Sequence, residues 1–318
     1  MAKIQTVLGS ISPKDLGITL MHEHLQYDAL SFARNPDCRL DEADVIDDAL
    51  DLKRAGGSAL VEMTCIGLGT LRDIKSLKRI SEKTGLHVIA STGFYKEHEL
   101  DTTSAPFKNF PVKAFPPIVY EKTIDELADI ITKEILEGRE GTIIKAGIIK
   151  GGTSLNQVTN AEEKTLRAEA RAYLETGASI STHTSLGTMG LKQLDIYEDE
   201  GVDLTRVIIG HCDLKPDLTY HEAIAKRGAY IGYDTVGKEK YQPDGKRVEL
   251  VVNMVKRGYT NQILLSTDRD RKSQLKKYGG IGYSYLLESF VPRLKKARID
   301  ENDIHTILVE NPREILQF

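Results

Sequence analysis

The sequence predicts an α/β protein of the (β/α)8 TIM-barrel class, a single domain over residues 1–318, and three observations carry that prediction. Short β-rich apolar runs alternate with longer segments whose apolar residues recur at helical spacing, and the alternation repeats eight times. Neither a low-complexity linker nor an internal repeat interrupts it. A chain of 318 residues with 40% hydrophobic content also has the length at which one barrel buries a sizeable core. A doubly wound open sheet is the runner-up architecture.

The first strand is Gly17-Ile18-Thr19-Leu20-Met21-His22-Glu23-His24, an apolar run ending in His-x-His. The spacing of Val45, Ile46, Leu50 and Leu52 predicts a helix over Leu40–Ala55, stopped by Gly56-Gly57. Strand two follows at Ala59–Cys65, a helix at Leu71–Lys83 closed by Gly85, and strand three at Leu86–Thr92. The stretch Gly93–Pro117 holds Pro106, Pro111, Pro116 and Pro117 with five aromatics. It is too apolar for a disordered linker and reads as a packed loop over a site. A helix over Lys122–Glu137 leads to strand four, Thr142–Lys150, and a helix over Ala161–Thr176 to strand five, Ala178–His183. Helices over Leu191–Glu200, Tyr220–Lys226 and Val248–Arg257 precede strand six (Val207–His211), strand seven (Ala229–Asp234) and strand eight (Ile263–Asp268). Helices over Tyr283–Lys295 and Asn302–Val309 close the chain.

A formal charge of −4 supplies no global positive field to attract nucleic acid or an anionic membrane, so small molecules are the expected partners. Cys38, Cys65 and Cys212 have no paired spacing and make no disulfide framework, which fits a reducing compartment. Cys65 and Cys212 fall near the expected rim and read as small buried residues. Met-Ala-Lys-Ile-Gln-Thr lacks the apolar core of a signal peptide, and no apolar run is long enough to cross a bilayer. A cytoplasmic protein is expected.

Side chains two apart on a strand share a face, so His22 and His24 point the same way, as a pair holding one metal ion would. Alone, His-x-His is equally two polar histidines at a strand end. His183, His211 and Asp268, however, also end apolar runs, at the rim where barrel enzymes keep their sites. His87, His98, His221 and His305 do not, and take a structural or surface reading. The five rim residues would fill one zinc site with a ligand to spare, but divide more naturally between two metals sharing a bridging anion. Lys150 ends strand four at the same rim and reads in two ways. As a neutral amine that has taken up carbon dioxide it becomes an anionic carbamate bridge; as an ordinary ammonium it meets solvent or a substrate phosphate, and spacing alone favours the latter.

Thr19-Leu20-Met21-His22-Glu23-His24, Ala146-Gly147-Ile148-Ile149-Lys150, Thr182-His183-Thr184, Ile209-Gly210-His211 and Ser266-Thr267-Asp268 resemble, in order, the metal-ligand motifs of the phosphotriesterase family within the amidohydrolase superfamily. The resemblance runs from Val7-Leu8-Gly9 to Asn311-Pro312. It implies two divalent ions, zinc by expectation, with manganese or cobalt compatible with the same donors. It implies that His22, His24 and Asp268 bind the buried ion, that His183 and His211 bind the exposed one, and that carbamylated Lys150 and a hydroxide bridge the two. A homodimer is a family-level expectation.

The family contains phosphotriesterases and lactonases. Where the former carry a proton-shuttling histidine after strand seven, this chain has Thr235 in Tyr233-Asp234-Thr235-Val236-Gly237. Tyr95, in Thr92-Gly93-Phe94-Tyr95, resembles a lactonase tyrosine, and the chain has no Trp for an aromatic ester pocket. The loops after strands seven and eight concentrate positive charge: Lys238, Lys240, Lys246 and Arg247, then Arg269, Arg271, Lys272, Lys276 and Lys277. Barrels commonly build phosphate sites there, so Lys240, Arg271 and Tyr278, with Lys238 and Arg269, are the expected substrate-phosphate ligands. Glu239, Asp244 and Asp270 dilute the charge and keep an ordinary solvated surface open. The leading expectation is a lactonase for phosphorylated sugar 1,4-lactones. In it a metal-bridging hydroxide attacks, Asp268 acts as base then acid, and Tyr95 orients the ring. The alternatives are a lactonase for acyl-homoserine or other apolar lactones with promiscuous phosphotriesterase activity, which would draw on Phe94, Phe107, Phe110 and Phe115, and a metal-stabilised binding protein without catalysis.

Overall fold

The computed structural model describes residues 2–29, 35–68, 72–97 and 115–318. Eight parallel strands form one sheet in sequence order: β1 (Thr19–Glu23), β2 (Ala59–Glu62), β3 (His87–Gly93), β4 (Ile148–Thr153), β5 (Ile180–Thr184), β6 (Val207–Ile209), β7 (Tyr230–Tyr233) and β8 (Ile263–Leu265). The sheet curls into a TIM barrel, and β1 meets β8 through side chains rather than a regular ladder. His22 N–H donates to Ser266 Oγ (2.9 Å) and Asp268 N–H to the His22 carbonyl (3.1 Å). The Glu23 carboxylate, fully buried, accepts from the Ser266 hydroxyl, the Thr267 hydroxyl and the amides of Thr267 and Arg269, at 2.7–2.9 Å. The glutamate inside His-x-His is thus the clasp of the barrel.

The crossover helices are α1 (Glu42–Arg54), α2 (Ile74–Thr84), α3 (Ile124–Leu136), α4 (Asn160–Thr176), α5 (Gly190–Asp199), α6 (Leu218–Lys226) and α7 (Asp244–Lys256). Their starts follow from local chemistry: Asp41/Asp44, Thr123/Glu126 and Thr159/Glu162 form reciprocal capping boxes, satisfying amides that a helix start would otherwise leave bare. The chain ends in helical segments over 286–296 and 301–316. Among the described residues no helix is long and apolar enough to cross a membrane.

The barrel interior is apolar below and polar above. Met21, Val61, Ile89, Ile148, Ile208, Tyr230 and Leu264 point inward from seven strands, and Ile4, Leu16, Ile315 and Leu316 seal the lower end. Among the described residues, this plug closes the lower end of the barrel interior and leaves its C-terminal mouth open. A larger apolar layer joins the outer faces of the strands to the helices.

Strand four differs from expectation. Residues 142–147 are not strand: Arg139 and Ile144 close a turn (N···O 2.8 Å) that leaves Ile143 90% exposed. The strand instead runs on through Gly151-Gly152, which look like a stop signal. A Cβ at Gly151 would lie 2.1 Å from the Glu169 carboxylate, and one at Gly152 2.9 Å from the Tyr95 carbonyl, so close packing explains both glycines. Lys150 is therefore mid-strand rather than terminal. Because parallel barrel strands are staggered, it still reaches the mouth, its neighbour Gly152 pairing with His183. His98, Phe107 and Phe110 lie outside the described residues.

Candidate metal centre

His22 and His24 leave the end of β1 with both Nε2 atoms near Asp268 Oδ1, at 3.7 and 3.4 Å. Lys150 Nζ lies 3.4 Å from His22 Nε2. His211 sits between His22 and His183, ring centroids 4.8 and 4.7 Å away, and the Tyr95 hydroxyl is 3.4 Å from His183 Nδ1. Together with Lys96, Lys238, Tyr241 and Asp270 they line a cavity of about 290 Å3. His211 and Asp268 hold left-handed backbone angles, φ 58° and 49°, a conformation rare outside glycine and common where a rim residue must turn into a site.

Donor accounting fixes how each imidazole faces the cavity. His22 and His211 turn Nδ1 to the two oxygens of Asp234, at 3.1 and 2.7 Å. His24 Nδ1 meets Thr64 Oγ1 at 2.9 Å, and that hydroxyl already donates to the Gln26 carbonyl, so the imidazole is the donor. These three therefore carry their proton on Nδ1 and offer Nε2. His183 is reversed. Its Nε2 lies 3.3 Å from Ser185 Oγ, whose proton goes to the Thr153 carbonyl, so Nδ1 carries the lone pair, facing the Tyr95 hydroxyl.

Burial supplies the electrostatics. It holds His22 down at about 3, with the Lys150 charge adding to the effect, and pushes His183 well below the usual histidine range, His211 contributing. Such imidazoles are neutral lone-pair donors at physiological pH. On His211 burial opposes protonation but the Asp234 carboxylate outweighs it and raises the value. Asp268 stays far below the carboxylate range because Lys238, 2.5 Å away, overcomes its desolvation. Lys150 is 1% exposed, burial depresses its amine, and among the described residues no carboxylate forms an ion pair with it. Burial beside the His22 imidazole thus favours the neutral form of this amine. Among the described residues, His22, His24 and Asp268, and separately His22, His211 and Asp234, place ligand atoms within 4.8 Å of one another. The donor set of imidazoles, carboxylate and amine suits a divalent transition metal.

The basic loops divide on inspection. Arg269 is 1% exposed and spends its guanidinium on the carbonyls of Val236 (3.0 Å) and Gly282 (3.3 Å), bracing the loop at the edge of a second mouth cavity. The Tyr278 hydroxyl donates to Asp44 of α1, and Tyr278 lines neither mouth cavity. Lys246, Lys272 and Lys276 pair with Glu249, Asp44 and Asp51, and Lys277 caps the Ala43 carbonyl. Arg247 is buried against Asp213 and Asp244, and Thr235 belongs to the same network, accepting from Arg247 and donating to Asp213. Lys238 bridges Asp268 and Asp270, at 2.5 and 2.9 Å. Lys240 and Arg271 have no ion pair among the described residues, and both line a second cavity of about 450 Å3 that shares Lys238 and Tyr241 with the first. Phe94 and Phe115 lie in the core, as do Cys65 and Cys212, and none of the four lines the mouth.

Two residues that sequence reasoning passed over hold the site together. Asp234 follows an apolar strand as many rim aspartates do, and only its position between two imidazoles marks it. Glu23 was visible within the motif, but its partners lie more than two hundred residues away.

Among the described residues the barrel mouth gathers inward-facing imidazoles, carboxylates and a buried amine, the donor set of a metal-binding hydrolase. The chain belongs to the phosphotriesterase family, which it matches over residues 2–316. It is 40% identical over 303 residues to a phosphotriesterase homology protein of Escherichia coli K12, spanning 95% of this chain and 98% of that one. A crystal structure of the Escherichia coli protein with phosphate in its active site superposes with a TM-score of 0.87 over 95% of this chain and 99% of that one, at 40% identity. A lactonase from Listeria monocytogenes, 33% identical, superposes with a TM-score of 0.89 over 99% and 98% of the two chains. The human N-acetyltaurine hydrolase is 32% identical over 362 residues, 99% of this chain and 98% of that one.

Proposed function

We propose that the protein is a binuclear metal-dependent lactonase for phosphorylated sugar 1,4-lactones. The observation that carries this reading is that Lys240 and Arg271, without an ion pair among the described residues, line a cavity that shares Lys238 and Tyr241 with the histidine-lined one. His22, His24 and Asp268 would hold one ion, His183 and His211 the other, and carbamylated Lys150 both. Bound there, two divalent ions lower the pKa of water and polarise a carbonyl. The carbamate forms when the neutral Lys150 nitrogen attacks carbon dioxide, making one N–C bond and releasing one proton. Burial, which depresses this amine, supports that step.

The remaining work falls to the chain. Lys238 keeps Asp268 ionised, and Asp268 would accept the proton of the attacking water. As the ring C–O bond breaks, Asp268 returns that proton to the departing ring oxygen. Tyr95, beside His183, orients the ring, and Lys240 and Arg271 hold the phosphate, with Lys238 lining both cavities. Of the four phenylalanines the apolar-lactone alternative would draw on, Phe94 and Phe115 are committed to the core, and Phe107 and Phe110 lie outside the described residues. An anionic amide is a second reading, favoured by the likeness to N-acetyltaurine hydrolase, because the same cations would take any anionic tail.

The deciding measurement is kcat/KM for phosphorylated and unphosphorylated sugar lactones, acyl lactones and anionic N-acyl amides, in the wild type and in Lys240→Ala and Arg271→Ala. Each substitution is expected to cut the preference for the phosphorylated lactone about tenfold, or about 1.4 kcal/mol of transition-state binding. An unchanged preference in both variants ends the phosphate reading. Amides turned over faster than lactones would move the assignment to the second.

A further inference from the structure

The proposed mechanism gives no part to Asp234, yet the mouth is built around it. Its carboxylate is 3% exposed. Oδ1 accepts from the His211 backbone amide (2.9 Å) and from His211 Nδ1 (2.7 Å), while Oδ2 lies 3.1 Å from His22 Nδ1. Space for it is made by two glycines: a Cβ at Gly232 would lie 2.7 Å, and one at Gly210 3.1 Å, from Oδ2. His22 and His211 belong to different ions in the two-ion arrangement, so one carboxylate orients a ligand of each.

We infer that Asp234 is the positioning residue that couples the two metal subsites, holding His22 and His211 as Nδ1–H tautomers so that both present Nε2 to the cavity. This rests on the two-ion reading above. The same three side chains could be taken for a cation site, but the His211 amide aimed at Oδ1 makes the carboxylate a hydrogen-bond acceptor there, not a metal ligand. An imidazole whose partner is removed loses its tautomer preference and orientation, and metal affinity falls by typically 10–100-fold.

The geometry makes the isosteric variant asymmetric. In Asp234→Asn the amide oxygen belongs in the Oδ1 position, where two donors converge, which leaves the NH2 group facing His22 Nδ1. Donor then confronts donor, and His22 escapes by moving its proton to Nε2, withdrawing its lone pair from the cavity. His211 is spared. Asp234→Ala frees both imidazoles.

The test uses full-length protein and two readouts. Long-range 15N–1H NMR of metal-free wild type is expected to show His22 and His211 protonated on Nδ1, and D234N to show His22 alone switched to Nε2. Titration with zinc, followed by metal analysis, is expected to give two tight equivalents for wild type, one for D234N with the other weakened at least tenfold, and two weakened sites for D234A. Nε2–H tautomers in metal-free wild type, or D234N binding both ions as tightly as wild type, would overturn the inference. Wild type taking up fewer than two ions would instead overturn the two-ion reading, whatever the tautomers. Should D234A fail to fold by circular dichroism, the wild-type and D234N spectra still decide.

Discussion

His221 shows what burial does to an imidazole the site does not use. It stands on α6 with no exposed surface, Nε2 donating to the Cys212 carbonyl at 2.9 Å and Nδ1 2.8 Å from the Tyr233 hydroxyl. Burial lowers it to about 4, against the pull of the Cys212 and Lys215 carbonyls and Asp217. The unfolded chain binds the proton near 6.5, so the folded state binds fewer protons between the two values. The resulting stability is present above pH 6.5 and is lost as pH falls toward 4. Between pH 7 and pH 5 the loss from this residue is about 2 kcal/mol. Urea unfolding of metal-stripped wild type and His221→Gln at both pH values should show wild type losing that much more than the variant; equal losses would place the titrating group elsewhere. At this scale the sequence separated rim histidines from the others by their position at strand ends. The partners of Arg269, Arg247 and Tyr278 were not legible, because a run of basic residues reveals charge but not partners, and these side chains find theirs on carbonyls and carboxylates of other segments.

Among the elements, the seam between β1 and β8 is the one place where the sheet closes without a ladder, and Glu23 takes the place of the missing backbone bonds. Its carboxyl is raised by burial, opposed by the bond from the Arg269 amide and those from Ser266 and Thr267. Glu23→Gln keeps the shape but sets an NH2 group against protein donors, so one buried donor goes unmatched. A cost of about 2–4 kcal/mol is expected, with faster hydrogen exchange at the Thr267 and Arg269 amides. Unfolding within about 0.5 kcal/mol of wild type would mean the seam is held by packing alone. The helices and most strands were legible because capping boxes, closing glycines and apolar periodicity are local signals. Strand β4 was not, since Gly151-Gly152 mimics a turn, and its reason for being glycine lies in Glu169 and Tyr95 on neighbouring elements. The clasp was illegible for the same reason of distance.

At the scale of the whole molecule, the apolar plug below and the polar mouth above are separable in energy. The plug and outer layer bury their side chains with no help from a bound ion, whereas the mouth gathers imidazoles, Asp268 and an unpaired Lys150 that gain most from one. Any ligand that binds only the folded state stabilises it by RT ln(1 + [L]/Kd), about 2.7 kcal/mol for each site held at a hundred times Kd. Two ions would then contribute about 5 kcal/mol and, for a chain of this size, about 10 °C in Tm. Chelation should therefore lower Tm by that order and abolish hydrolysis while the far-ultraviolet circular dichroism at 25 °C stays native, because the barrel core is intact without the mouth. Activity should return on adding metal, and faster with bicarbonate than without, since the Lys150 carbamate must be rebuilt from carbon dioxide. Collapse of the secondary structure on chelation, with no hydrolysis found before it, would make the ions structural and the protein a binding module. Recovery indifferent to bicarbonate would remove the carbamate from the site.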